Sequence, residues 1–172
     1  MANVDYKISL ISGIYEILVN RAGGEIMSAC SELLGPITYT PEEITYGKTI
    51  QEQTGKPQVG FDSEIRPLKE TAEHPGGGST DVGDVSWNVP NINLKVTVAP
   101  KDTPWHSWAV VACGGMSIGH KGMIYASKAM AMTMLDLFED PKLVEKVKKE
   151  FKERKGDEVY VPNIPDGPPP TP

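Results

Sequence analysis

The stretch Gly76-Gly77-Gly78-Ser79-Thr80-Asp81-Val82-Gly83-Asp84-Val85-Ser86-Trp87, followed by Thr103-Pro104-Trp105-His106-Ser107-Trp108, decides how this chain is read. It gathers backbone donors, two carboxylates, an imidazole and all three tryptophans of the chain. Such a mixture adds little to a core, so it points to a binding or catalytic loop system. Three glycines and a Ser-Thr pair present several backbone N–H groups to an anion, a phosphate or a carboxylate, because glycine tolerates positive φ and close approach. The run is not a P-loop, since no Lys follows at the required position, and it lacks the dinucleotide fingerprint. Taken alone it also reads as a plain flexible turn. Asp81 and Asp84 are able to orient a histidine, bind a metal or cap the following turn, and capping is the ordinary role. Trp87 either walls a pocket or closes the core.

His106 lies between Trp105 and Trp108, after a Thr-Pro turn. In an aromatic, low-dielectric setting an imidazole stays neutral, the form that binds a metal. Zinc or manganese needs three or more protein ligands, and a lone loop histidine is more commonly structural or simply exposed. His74 reads as solvated, and His120 as the start of a long helix with Ser117 as a candidate cap. Glu42 and Glu43 look like an acid–base pair but occupy a helical first turn, where carboxylates oppose the macrodipole, so they read as capping.

Outward from these motifs, 172 residues with 39% hydrophobic content suit one domain with a real core. A net charge of -6 argues against a nucleic-acid partner, and the one basic cluster, Lys142 to Lys155, is interleaved with Glu as on a solvated helix face. No apolar run approaches the roughly 20 residues that span a bilayer. The start Met1-Ala2-Asn3-Val4-Asp5 has no basic n-region, so a cytoplasmic protein is expected, with Cys30 and Cys113 as buried free thiols.

Alternation of Val4, Tyr6, Ile8 and Leu10 predicts strands over 4–19, and Ile92, Leu94, Val96 and Val98 predict another. Asn20 caps a helix that Gly35-Pro36 stops. Thr40-Pro41-Glu42-Glu43 opens a second with a capping box. Residues 55–80 read as a long loop, and 109–112 as a strand or the approach to a helix. Residues 117–138 form the strongest helix, with Ile118, Ile124, Met130, Met134, Leu135 and Phe138 as a core stripe in which methionine is filler. Asp140-Pro141 starts a last helix, and 162–172 form a proline-rich tail.

The order Gly-Ser-Thr-Asp-Val-Gly-Asp-Val-Ser-Trp, Thr-Pro-Trp-His-Ser-Trp and Gly119-His120-Lys121-Gly122-Met123 resembles the aminobenzoyl-glutamate hydrolase branch of the metal-dependent amidohydrolase and carboxypeptidase family, which includes aminoacylases and carboxypeptidase G. The resemblance implies an α/β fold: residues 20–161 as the second half of a mixed-sheet metallopeptidase catalytic domain with flanking helices, preceded by residues 1–19 as the last strands of an inserted lid or dimerisation domain. It implies His106 as a metal ligand for zinc or manganese, and Gly76, Gly77, Gly78, Ser79 and Thr80 as the loop that holds the substrate's carboxylate. The family's other ligands and its water-activating glutamate precede the lid, so no catalytic residue is expected in this chain. The implied substrate is a small N-acyl amino acid or dipeptide, and the implied partners are the N-terminal half of the enzyme and a second copy in a homodimer. The expectation is a partial amidohydrolase, inactive alone; the alternative is a non-catalytic binding or assembly module derived from that fold.

Overall fold

The computed structural model describes residues 4–8, 10–68, 78–165 and 167–168. Among them are six helices: α1 (Arg21–Leu34), α2 (Pro41–Gln53), α3 (Val82–Ser86), α4 (Trp108–Gly114), α5 (Ser117–Glu139) and α6 (Pro141–Lys155). Local chemistry sets their ends. Asn20 Oδ1 accepts from Gly23 N at 2.8 Å to start α1, and Gly35, at φ 71°, stops it. Thr40 and Glu43 form a reciprocal capping box on α2, with Pro41 in the first turn. Asp140 accepts from Lys142 N at 2.9 Å to open α6, whose last turn carries Lys152, Arg154 and Lys155 against the negative end of the dipole.

Helix α5 is the hub, packed against α1, α4 and α6. One small core joins Ile50 of α2 to Ala99, Ala109 and Cys113; another joins Ala22 and Ile26 of α1 to Val147 of α6. Both thiols are free and buried, as expected, and burial raises the pKa of each. Polar side chains add the long-range ties. Asn20 Nδ2 donates to Val147 O at 2.9 Å. The Glu150 carboxylate accepts from Arg21 N at 3.0 Å and Ala22 N at 2.6 Å, so α6 closes the N-terminus of α1 with a negative charge. Burial opposes ionisation of Glu150, but the two backbone donors and Arg154 outweigh it and its pKa falls.

The expected α/β fold is not what forms. Half of the described residues are helical and none lies in a strand. Residues 4–8 and 10–19 carry no regular structure, and 109–112 belong to helix α4. Along 92–96 exposure does alternate, with Asn93 and Lys95 exposed and Ile92, Leu94 and Val96 half-buried. Alternation, however, specifies only which side chains are covered. A strand also needs a neighbour to take its N–H and C=O groups, and among the described residues no segment does so. This stretch instead lies on the helices: a Cβ at Gly122 of α5 would stand 2.6 Å from Val98 Cγ1 and 2.7 Å from Thr97 O, so glycine is required there.

The stripe of α5 is the second correction. Ile118 is buried, at 1% exposure, but Ile124, Met130, Met134, Leu135 and Phe138 are exposed. The helix packs on a different face, through Ile118, Gly119, Gly122, Ala129 and Thr133.

Glu43 joins α2 to α5. Its Oε1 accepts from Ser117 Oγ at 2.6 Å, and its Oε2 takes Lys121 Nζ at 2.6 Å and Thr40 N at 2.7 Å. Hydrogen bonds from Lys121 and Ser117 hold its carboxyl at about 2, below the ordinary 4.5. A carboxyl depressed on folding stabilises the native state above its unfolded value, and that contribution fades as pH falls from about 4.5 towards 2. Glu43→Gln should therefore lower stability at pH 7 by about 2 kcal/mol. Denaturant titrations of the two proteins should converge as pH drops through that window; a gap unchanged at low pH would show that the charge contributes nothing.

Candidate functional site

The turn that carries His106 is held from below by a buried amide. Gln51 of α2 has no exposed surface. Its Oε1 accepts from Gly60 N at 2.8 Å, and its Nε2 donates to Gly60 O at 3.2 Å and Lys101 O at 2.9 Å. Lys101 N donates in turn to Gly60 O at 2.9 Å. From that anchor Thr103 folds back, its Oγ1 donating to Pro100 O at 2.6 Å, and Ser107 Oγ donates to Pro104 O at 2.5 Å. Two residues of the turn, Asp102 and His106, take left-handed backbone angles of φ 61°, a conformation disfavoured for any residue with a Cβ.

The consequence is an imidazole set outward. His106 is exposed, and its neighbours Trp105 and Trp108 are 67% and 57% exposed. The enclosed aromatic setting expected for His106 is therefore absent. No hydrogen bond or ion pair formed among the described residues engages its side chain. Beside it, a groove runs between residues 56–66 and 96–105, lined by Lys56, Arg66, Lys101, Val98 and Trp105. Arg66 is already paired with Asp62.

The glycine–aspartate–tryptophan run does something that local pattern did not show. Gly76 and Gly77, with His74, lie outside the described residues. Gly78, Ser79 and Thr80 are exposed, and Gly78 has φ 147° with open space where a side chain would go. After them α3 docks on residues 15–18. A Cβ on Gly83 would meet Tyr15 O at 1.8 Å, so only glycine permits the contact. Ser86, fully buried, accepts from Leu18 N at 2.8 Å, and Trp87 Nε1 donates to Glu16 O at 2.9 Å. Asp81 sits at the N-cap of α3 but makes no side-chain cap bond. Asp84 accepts from Tyr160 OH at 3.0 Å, and Tyr15 packs against both Trp87 and Tyr160, at 5.5 and 5.1 Å. The ordinary capping role is thus not the one either aspartate takes.

The sequence motifs are consequently not brought to one pocket by the described residues. The groove beside Trp105 includes none of Gly78, Ser79 and Thr80. His120 is exposed on the first turn of α5, and Ser117 serves as a partner of Glu43, Met116 being the N-cap. Among the described residues no three His, Cys, Asp or Glu side chains converge to hold a metal ion. The chain's described part therefore does not fit as a whole metal centre. Sequence reasoning missed Gln51, whose two loop partners are 9 and 50 residues away. It also missed the Asp84–Tyr160 bond, which spans 76 residues. No local pattern carries either signal. No helix among the described residues is long and apolar enough to cross a membrane.

No known protein-family profile and no solved structure matches the chain. It is similar to the B-type subunit of p-aminobenzoyl-glutamate hydrolase from Escherichia coli strain K12, with 36% identity over 110 residues, which is 64% of this chain. The matched stretch amounts to 23% of that protein's length, so the chain is a relative of a B-type aminobenzoyl-glutamate hydrolase over about a quarter of it.

Proposed function

We propose that this chain is part of a metal-dependent amidohydrolase that cleaves the amide of a small N-acyl amino acid of the p-aminobenzoyl-glutamate kind. The observation that carries the reading is the 36% identity over 110 residues to a hydrolase component of that name. His106 would supply one metal ligand, and the backbone donors of Gly76 to Thr80 would receive the amino-acid carboxylate. A divalent metal at such a centre lowers the pKa of a bound water and polarises the scissile carbonyl. The remaining ligands and the proton-shuttling carboxylate would come from the rest of such an enzyme, since the described residues gather no ligand set.

The geometry at His106 supports this assignment. A left-handed backbone costs a residue with a Cβ about 1–2 kcal/mol, and here it holds outward an imidazole that no hydrogen bond or ion pair among the described residues engages. If the histidine is there for chemistry rather than for the fold, His106→Gly should keep or raise stability, by up to about 1 kcal/mol. A loss of stability in denaturant unfolding would make the residue structural.

Activity tests the rest. The full chain alone, supplied with zinc or manganese, should not hydrolyse p-aminobenzoyl-glutamate. Joined to a polypeptide carrying the remaining residues of the E. coli relative, it should do so, and His106→Ala should reduce the rate by more than about 100-fold. Hydrolysis by the chain alone, or an assembled enzyme indifferent to His106→Ala, would overturn the proposal.

A further inference from the structure

Helix α5 has two apolar faces, and the described residues cover one of them. Ile118, Gly119, Gly122, Ala129 and Thr133 are buried. On the other side Met123, Ile124, Met130, Met134, Leu135 and Phe138 are between 49% and 80% exposed. At about 100° per residue these six fall within an arc of about 140° and run for about 22 Å along the helix. No Lys, Arg, Asp or Glu falls in that arc, and Ser117, His120 and Ser127 bring the polar groups to it. Single exposed apolar side chains are ordinary, but a continuous uncharged stripe marks an interaction surface. A second apolar surface lies elsewhere: Val4, Tyr6, Ile8 and Leu10 are 63–85% exposed, and no backbone hydrogen bond ties residues 4–8 or 10–12 to another described segment.

We infer that the outward face of α5 is a docking surface for the remaining part of the proposed hydrolase, which meets it with an uncharged apolar surface. The inference rests on the proposed function and adds to it the place of contact. Two observations favour this occupant over a second copy of the chain. The stripe offers an identical stripe no charge with which to set register, and each copy would bring its own net charge of -6. The matched stretch is 23% of the relative, so a polypeptide of that kind has several times as many residues left with which to cover both apolar surfaces. The flexible methionines suit the task, because they adapt to an opposing surface.

The test uses the full 172-residue chain co-expressed with the E. coli relative, the B-type component of p-aminobenzoyl-glutamate hydrolase, from which the 110-residue matched stretch has been removed. Light scattering after gel filtration should show a one-to-one complex. Peroxide oxidation of Met123, Met130 and Met134 should slow by about tenfold or more on assembly. Ile124→Lys and Leu135→Lys, at exposed positions, should leave the circular dichroism of the chain unchanged while weakening the complex by more than about tenfold. Absence of a complex, or a complex indifferent to both variants, would overturn the inference. So would a homodimer of the chain alone that gives the same methionine protection, because the occupant would then be a second copy. A complex that forms through α5 yet hydrolyses nothing would count against the proposed function and leave the docking surface standing. Hydrolysis that survives both variants would do the reverse.

Discussion

The carboxylate of Glu43 is the contact on which the rest of the arrangement depends. It closes the capping box of α2 and receives Ser117 and Lys121 from the first turns of α5. Lys121 also donates to Thr38 O at 2.9 Å and lies 5.6 Å from the centre of the Tyr39 ring, which stacks on Phe61. The N-terminus of α2, the segment before it and the start of α5 are thereby fixed at one point. Because α5 touches α1, α4 and α6, fixing its start sets the frame for the other helices. The side chain of Glu43 is 9% exposed and that of Lys121 is 35% exposed, so solvent reaches the ion pair chiefly from the lysine side.

Apolar packing alone would not give this shape. Most of the deeply buried apolar side chains are small, such as Ala22, Cys30, Ala109, Cys113 and Ala129, and Ile118 is the largest with almost no exposure. Short side chains remove little surface from water. Polar groups at helix ends supply the positional information instead. Asn20 and Glu150 join α1 to α6, Ser86 joins α3 to residue 18, and Gln51 sets the turn that leads to His106. Among the described residues no buried side-chain polar atom lacks a partner, as such a scheme demands. Gln51 thus links helix to turn: a position with no exposed surface anchors the segment that leads to an exposed imidazole.

Helix starts and stops were legible because their causes are local. Asn20, the Thr40–Glu43 box, Gly35 and Asp140-Pro141 each act within a few residues of themselves. The expected sheet failed because a strand is a property of two segments: alternation at 92–96 is matched only by alternating exposure, and at 4–10 every described side chain is exposed. The stripe of α5 misled for a related reason. Periodicity identifies an apolar face but not what covers it, and this helix has two such faces. For His106 the residue was conspicuous in the sequence and its surroundings were not, because aromatic neighbours in a chain need not enclose a site in space. Glu43 was readable as a cap, while its partners, 74 and 78 residues away, were not.

We propose that this chain brings one metal ligand, His106, to a centre that the rest of such a hydrolase completes. Metal analysis after exhaustive dialysis tests it most directly, comparing the isolated chain, the assembly with the truncated E. coli relative, and the same assembly carrying His106→Ala. The account predicts stoichiometric metal in the assembly alone, lost on substitution of the histidine. Metal retained tightly by the isolated chain, or held equally well without His106, would contradict it.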